Sequence, residues 1–192
     1  GDRTAANFLR EFYINNQIEP ALNTIDYFQP YQLNLPGEMY TRNYTFPDKL
    51  RAYNRYAEGV NFVDTQNVAS IIKGEIYPDS YLIITGHLDH VGIDGDEVYN
   101  GADDNGSGTV SILEIAQAFQ EAVEDGVRPK RSVVFLHVSG EEEGLLGSEY
   151  YVNNSLYPLE NTFATLNLDM IGRTDPNRGY EDEEYIYSIG SD

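Results

Sequence analysis

Apolar positions recur along this chain in two periods, one helical and one extended. Ala6, Leu9, Phe12 and Tyr13 fall at helical spacing and predict an amphipathic first helix over residues 3 to 16. From 17 to about 60 the chain is rich in Tyr, Asn and Pro with poor periodicity. It reads as loops with short strands near 38 to 46 and 57 to 63. Regularity then returns. "NVASIIKGEI" and "YLIITGH" read as strands, and 105 to 123 as a helix with Ile112, Ile115, Ala116 and Phe119 on one face. The apolar run 132 to 138 predicts a buried strand, 144 to 154 a short helix, and "FATLNLDM" another strand.

Continuous apolar strands alternating with helices imply an α/β fold of three layers, its mixed and largely parallel sheet covered on both faces. The 192 residues suit one domain, with a helix and irregular part over 1–60 and a regular core over 67–172. In such sheets ligands collect beyond the carboxyl ends of the strands. The charged residues gather there: His87 and Asp89 after "YLIIT", Glu141, Glu142 and Glu143 after "VVFLHV", and Asp169 after "FATLNL".

Composition narrows the chemistry. Twelve Lys and Arg stand against 32 Asp and Glu, a formal net charge of -20, so nucleic acid and anionic membranes are poor partners while cations and free amines are favoured. With no cysteine, a metal must be held by His, Asp and Glu. No apolar run approaches the length of a membrane span, and "GDRTAANFLREF" has no leader pattern. No segment signals an oligomeric state.

Three successive glutamates after a buried strand repel one another unless water, a proton or a cation relieves them. Alone, "HLD" reads as a hydrogen-bonded loop and "ADD" as charges at a helix start. The glycines of "NGADDNGSGTV" lack the lysine of a phosphate cradle and the spacing and closing glutamate of a calcium loop. Together, His87, Asp104, Glu141, Glu142 and Asp169 contain what a hydrolytic metal site requires: imidazole and carboxylate ligands and a separate carboxylate to move protons. His87 and Asp89, two apart in an extended segment, lie on one side, and the aspartate can support the imidazole.

In order and local sequence, "GHLDHVG", "GADDNGSG", "SGEEEGLLGSEYY" and "LNLDMIG" resemble the co-catalytic di-zinc aminopeptidases of metallopeptidase clan MH, relatives of glutamate carboxypeptidase II and the transferrin receptor. The resemblance implies the zinc-exopeptidase fold and hydrolysis of the N-terminal bond of a peptide substrate with a free N-terminus. It implies two zinc ions bridged by Asp104, one completed by His87 and Asp169, the other bound by Glu142. Glu141 becomes the general base, Asp89 orients His87, and the Asp104–Asn105 peptide is expected to be cis. An extracytoplasmic location follows from the relatives' own. The family's last zinc ligand is a histidine downstream of "LDM", and no histidine follows His137, so the chain is expected to be truncated at its C-terminus and feeble alone. Glutaminyl-cyclase-like, carboxypeptidase-type and non-catalytic receptor-like members of the same fold are the competing expectations. His137, inside a strand, is expected to be a core residue, His90 to border the site and Glu143 to stand beside it.

Overall fold

The computed structural model describes residues 2–34, 62–94, 96–175, 177–178 and 185–190. The strand expected near 38 to 46, and most of that at 57 to 63, lie outside them. Helix α1 (Asp2–Asn15) buries Ala6, Leu9 and Tyr13, the stripe its spacing predicts. Strands β1 (Glu19–Pro20), β2 (Phe28–Asn34), β3 (Phe62–Ile72) and β4 (Tyr77–His87) follow. A separate hairpin, β5 (Gly92–Asp94) with β6 (Glu97–Tyr99), precedes α2 (Gly108–Glu124), β7 (Arg131–Val138), α3 (Leu146–Asn153) and β8 (Thr162–Asn167).

The main sheet runs β3, β7, β4, β8, with β1 and β2 both on the outer side of β3. Strands β7, β4 and β8 are parallel, while β3 is antiparallel to its neighbours. The parallel character expected from the apolar runs is thus concentrated in the three strands that carry the charged residues.

Strand β7 shows why both faces must be covered. Successive side chains point to opposite sides of a sheet. Val133 and Phe135 pack with α1 and α2, while Val134, Leu136 and Val138 pack with Tyr151 of α3, Leu156 and Tyr157. Five buried apolar side chains on one strand contribute on the order of 10 kcal/mol of gross burial. That makes β7 a firm base for whatever leaves its carboxyl end. The registers Gly86 to His137 and Thr85 to Asn167 bring the carboxyl ends of β4, β7 and β8 to one edge of the sheet.

Strand β2 and the β5–β6 hairpin are additions to the elements read from the sequence. Pro30 lies within β2, and proline is tolerated in edge strands because it donates no ladder hydrogen bond. Among the described residues no helix is long and apolar enough to cross a membrane.

Candidate metal centre

His87 is the last residue of β4 and only 2% exposed. Its Nδ1 lies 3.1 Å from the backbone carbonyl of Asp89, which can only accept, so Nδ1 donates and Nε2 is the ring nitrogen turned to the site. The group that fixes the tautomer is therefore this carbonyl. The Asp89 carboxylate, read from the sequence as the support, sits farther away, with Oδ1 at 3.8 Å from Nδ1. Its Oδ2 accepts instead from the backbone N–H of Glu142 at 3.3 Å. Asp89 Oδ1 is buried and has no hydrogen-bond partner among the described residues.

Nε2 of His87 faces three carboxylates: Asp104 Oδ1 at 3.0 Å, Asp169 Oδ2 at 3.7 Å and Glu141 Oε2 at 3.9 Å. Each arrives from a different element. Glu141 and Glu142 lie in the turn after β7, which closes through Gly144 N–H and Leu145 N–H to the Glu141 carbonyl. Asp169 stands just past β8, where Leu168 N–H still bonds Thr85.

Asp104 sits in the irregular turn Ala102–Ser107 before α2. The expected helix start at 105 is displaced to Gly108 because Asp104 (φ -102°, ψ 94°) and Asn105 (φ -125°, ψ 43°) are not helical. The Asp104–Asn105 peptide is cis, as the resemblance implied. Asn105, 2% exposed, fastens this turn: its Oδ1 accepts from Gly108 N–H at 3.0 Å and its Nδ2 donates to the Leu168 carbonyl at 2.8 Å. Gly108 must lack a side chain, since a Cβ would stand 2.3 Å from both Asn105 Oδ1 and the Leu168 oxygen. Thr109 Oγ1 donates to the His87 carbonyl at 2.7 Å, joining α2 to the end of β4.

Among the described residues, three groups bring metal-binding atoms within 4.8 Å of one another: His87 with Asp104 and Asp169, His87 with Glu141 and Glu142, and His90 with Asp104 and Glu142. Two donors of a tetrahedral zinc lie about 3.3 Å apart, and the 3.0 and 3.7 Å separations from Nε2 bracket that value. Neutral imidazole with carboxylates suits zinc and similar divalent ions. Burial raises the carboxyls of Glu141 and Asp169 above their ordinary values; His87 opposes this in both, and neighbouring carboxylates reinforce it. A bound cation would reverse that direction.

Two positions carry more than their sequence context signals. His90 donates from Nδ1 to Glu142 Oε1 at 2.7 Å. Asp103 Oδ1 accepts from Gly172 N–H at 2.8 Å and Ser107 Oγ at 3.2 Å, tying the loop after Asp169 to the turn that bears Asp104. The doubled aspartate and the second histidine of "HLDH" are the only hints in the sequence. His137 is fully buried and bonded to Tyr13 Oη at 2.7 Å, the core role expected of it. Glu143 belongs to none of the three groups.

Imidazole and carboxylate donors that converge at the carboxyl ends of parallel strands are an arrangement suited to a hydrolytic metal site. Residues 67–188 match peptidase family M28, and the chain belongs to that family. It is 34% identical to aminopeptidase NAALADL1 of Rattus norvegicus, over 64% of this chain and 15% of that one. It is 42% identical to leupeptin-inactivating enzyme 1 of Streptomyces exfoliatus, over 54% of this chain and 22% of that one. The fold is that of a Zn-dependent exopeptidase from Parabacteroides distasonis, with TM-score 0.59, 16% identity and coverage of 88% of this chain and 53% of that one. The chain thus spans less than a quarter of the length of either curated relative.

Proposed function

We propose that this chain carries the metal centre of a zinc-dependent aminopeptidase that binds two zinc ions. The observation that supports it most is the convergence of Asp104, Asp169 and Glu141 on Nε2 of one buried histidine. His87, Asp104 and Asp169 would hold one ion and Glu142 the other. Asp104 offers an oxygen near the donor atoms of His87 and Asp169 in one group and near that of Glu142 in another, the position a shared ligand needs. When bound, zinc polarises the scissile carbonyl and acidifies water.

The chain's own groups do the rest. Glu141 is the residue after Gly140, whose φ of 68° turns the backbone at the end of β7 and delivers the carboxylate to the cluster. It receives the proton of the attacking water and hands it to the departing amine. The -20 charge and the acidic site attract the free ammonium of a peptide N-terminus, which favours aminopeptidase over carboxypeptidase action. The resemblance to an aminopeptidase is consistent with this reading.

The test is hydrolysis of an aminoacyl anilide by the full-length protein and its Glu141→Gln variant. The variant should retain its zinc and lose about 10²- to 10⁴-fold in kcat. A zinc-loaded variant with undiminished turnover would exclude Glu141 as the base.

A further inference from the structure

The geometry points to His90 as a positioning residue that orients Glu142 and limits it to one free carboxylate oxygen. The inference rests on the proposed role of Glu142 as a zinc ligand. Its basis is a pair of grips from one loop. Asp89 Oδ2 accepts from the Glu142 backbone N–H, and the next residue, His90, bonds the Glu142 side chain at Oε1. Main chain and side chain of the same glutamate are thus held by consecutive residues after β4.

The 2.7 Å separation decides the kind of contact. Two ligands of one zinc would be about 3.3 Å apart, so at 2.7 Å a proton lies between Nδ1 and Oε1. An imidazole with its proton on Nδ1 donates this bond. Both side chains are about four-fifths buried, 21% and 22% exposed, which strengthens a hydrogen bond to a charged acceptor.

The imidazole is also held from behind. A Cβ on Gly101 would lie 2.7 Å from His90 Cγ and 2.8 Å from its Cβ, so the backbone at 101 approaches the ring as only glycine allows. Gly101 adopts φ 62°, and its carbonyl accepts from Gly106 N–H at 2.9 Å, fixing it to the turn that carries Asp104. His90 is therefore wedged between the Asp104 turn and the Glu142 turn. With Oε1 engaged, Oε2 is the oxygen left for a metal.

Residues that orient metal ligands typically govern about 10- to 100-fold of metal affinity. The experiment is cobalt(II) titration of the zinc-stripped full-length protein, followed by calorimetry and by the visible cobalt spectrum. His90→Ala should weaken the second equivalent about 10- to 100-fold and leave the first unchanged. His90→Asn, whose amide N–H can replace Nδ1–H, should recover most of that loss with an unaltered spectrum. Unchanged second-equivalent affinity in His90→Ala overturns the inference. So does His90→Asn binding as weakly as His90→Ala, which would make His90 a ligand or a packing residue. Glu142→Ala separates the two readings. If it abolishes the second equivalent while His90→Ala does not, only the His90 role falls. If it binds two equivalents like the parent, or the parent takes up one, the Glu142 assignment falls and the His90 role with it.

Discussion

The chain has three histidines, and their surroundings divide the work among them. His87 is buried but keeps Nε2 toward the carboxylates; His90 spends Nδ1 on Glu142; His137 is sealed beneath α1. Burial pushes the His137 imidazole down to about 3 from an ordinary value near 6.5, so it stays neutral in the folded protein. The unfolded chain takes up a proton at this residue below about pH 6.5 and the native state does not. Stability is therefore lost as pH falls through that value, at up to about 1.4 kcal/mol per pH unit, until about pH 3. In His137→Gln, which can still pair with Tyr13, this part of the acid slope should vanish. Urea denaturation of metal-free parent and variant between pH 7.5 and 4 measures it, and equal slopes would mean that His137 is protonated in the fold.

Among the elements, what could be read in advance was what burial writes into the sequence. Strands β3, β4 and β7 and helix α2 are buried against other elements, and their apolar residues form runs or stripes that single out the element type. Strand β2 escapes notice because an edge strand can carry Pro30, Gln29 and Gln32 without breaking a central ladder. Each strand of the β5–β6 hairpin has three residues, too short for a period. The site divides the same way. His87, Asp104, Glu141, Glu142 and Asp169 could be named because they end strands or sit in distinctive motifs. The His90–Glu142 and Asp103–Gly172 bonds join residues 52 and 69 apart, and nothing in either local stretch specifies them. Asn105 shows how such ties act on an element. Its amide serves both the start of α2 and the residue after β8, and removing it strands a half-buried carbonyl and a buried N–H. Asn105→Ala should cost about 2 to 4 kcal/mol in metal-free protein, whereas Asn153→Ala on the exposed face of α3 should stay within about 0.5 kcal/mol. Equal urea midpoints for the two variants would show that the turn is held by other contacts.

For the molecule as a whole, the position of the charge matters more than its total. Asp89, Asp104, Glu141, Glu142 and Asp169 crowd one edge of the sheet, and the excess of 20 negative charges offers them little neutralisation. A divalent cation held between them removes repulsion that the fold otherwise bears, and it binds the native state alone, so it stabilises by mass action. At free zinc about 100-fold above its dissociation constant the gain is about 2.7 kcal/mol. Removing zinc with a chelator should therefore lower Tm, and restoring it should reverse the change. The metal-free protein should also respond more steeply to sodium chloride than the zinc-loaded one, because its carboxylates still repel and screening relieves them. Differential scanning calorimetry across a salt series tests both statements together. A Tm indifferent to chelation, with parallel salt responses, would mean that the carboxylates hold no resident cation and that the molecule tolerates their crowding through solvation alone.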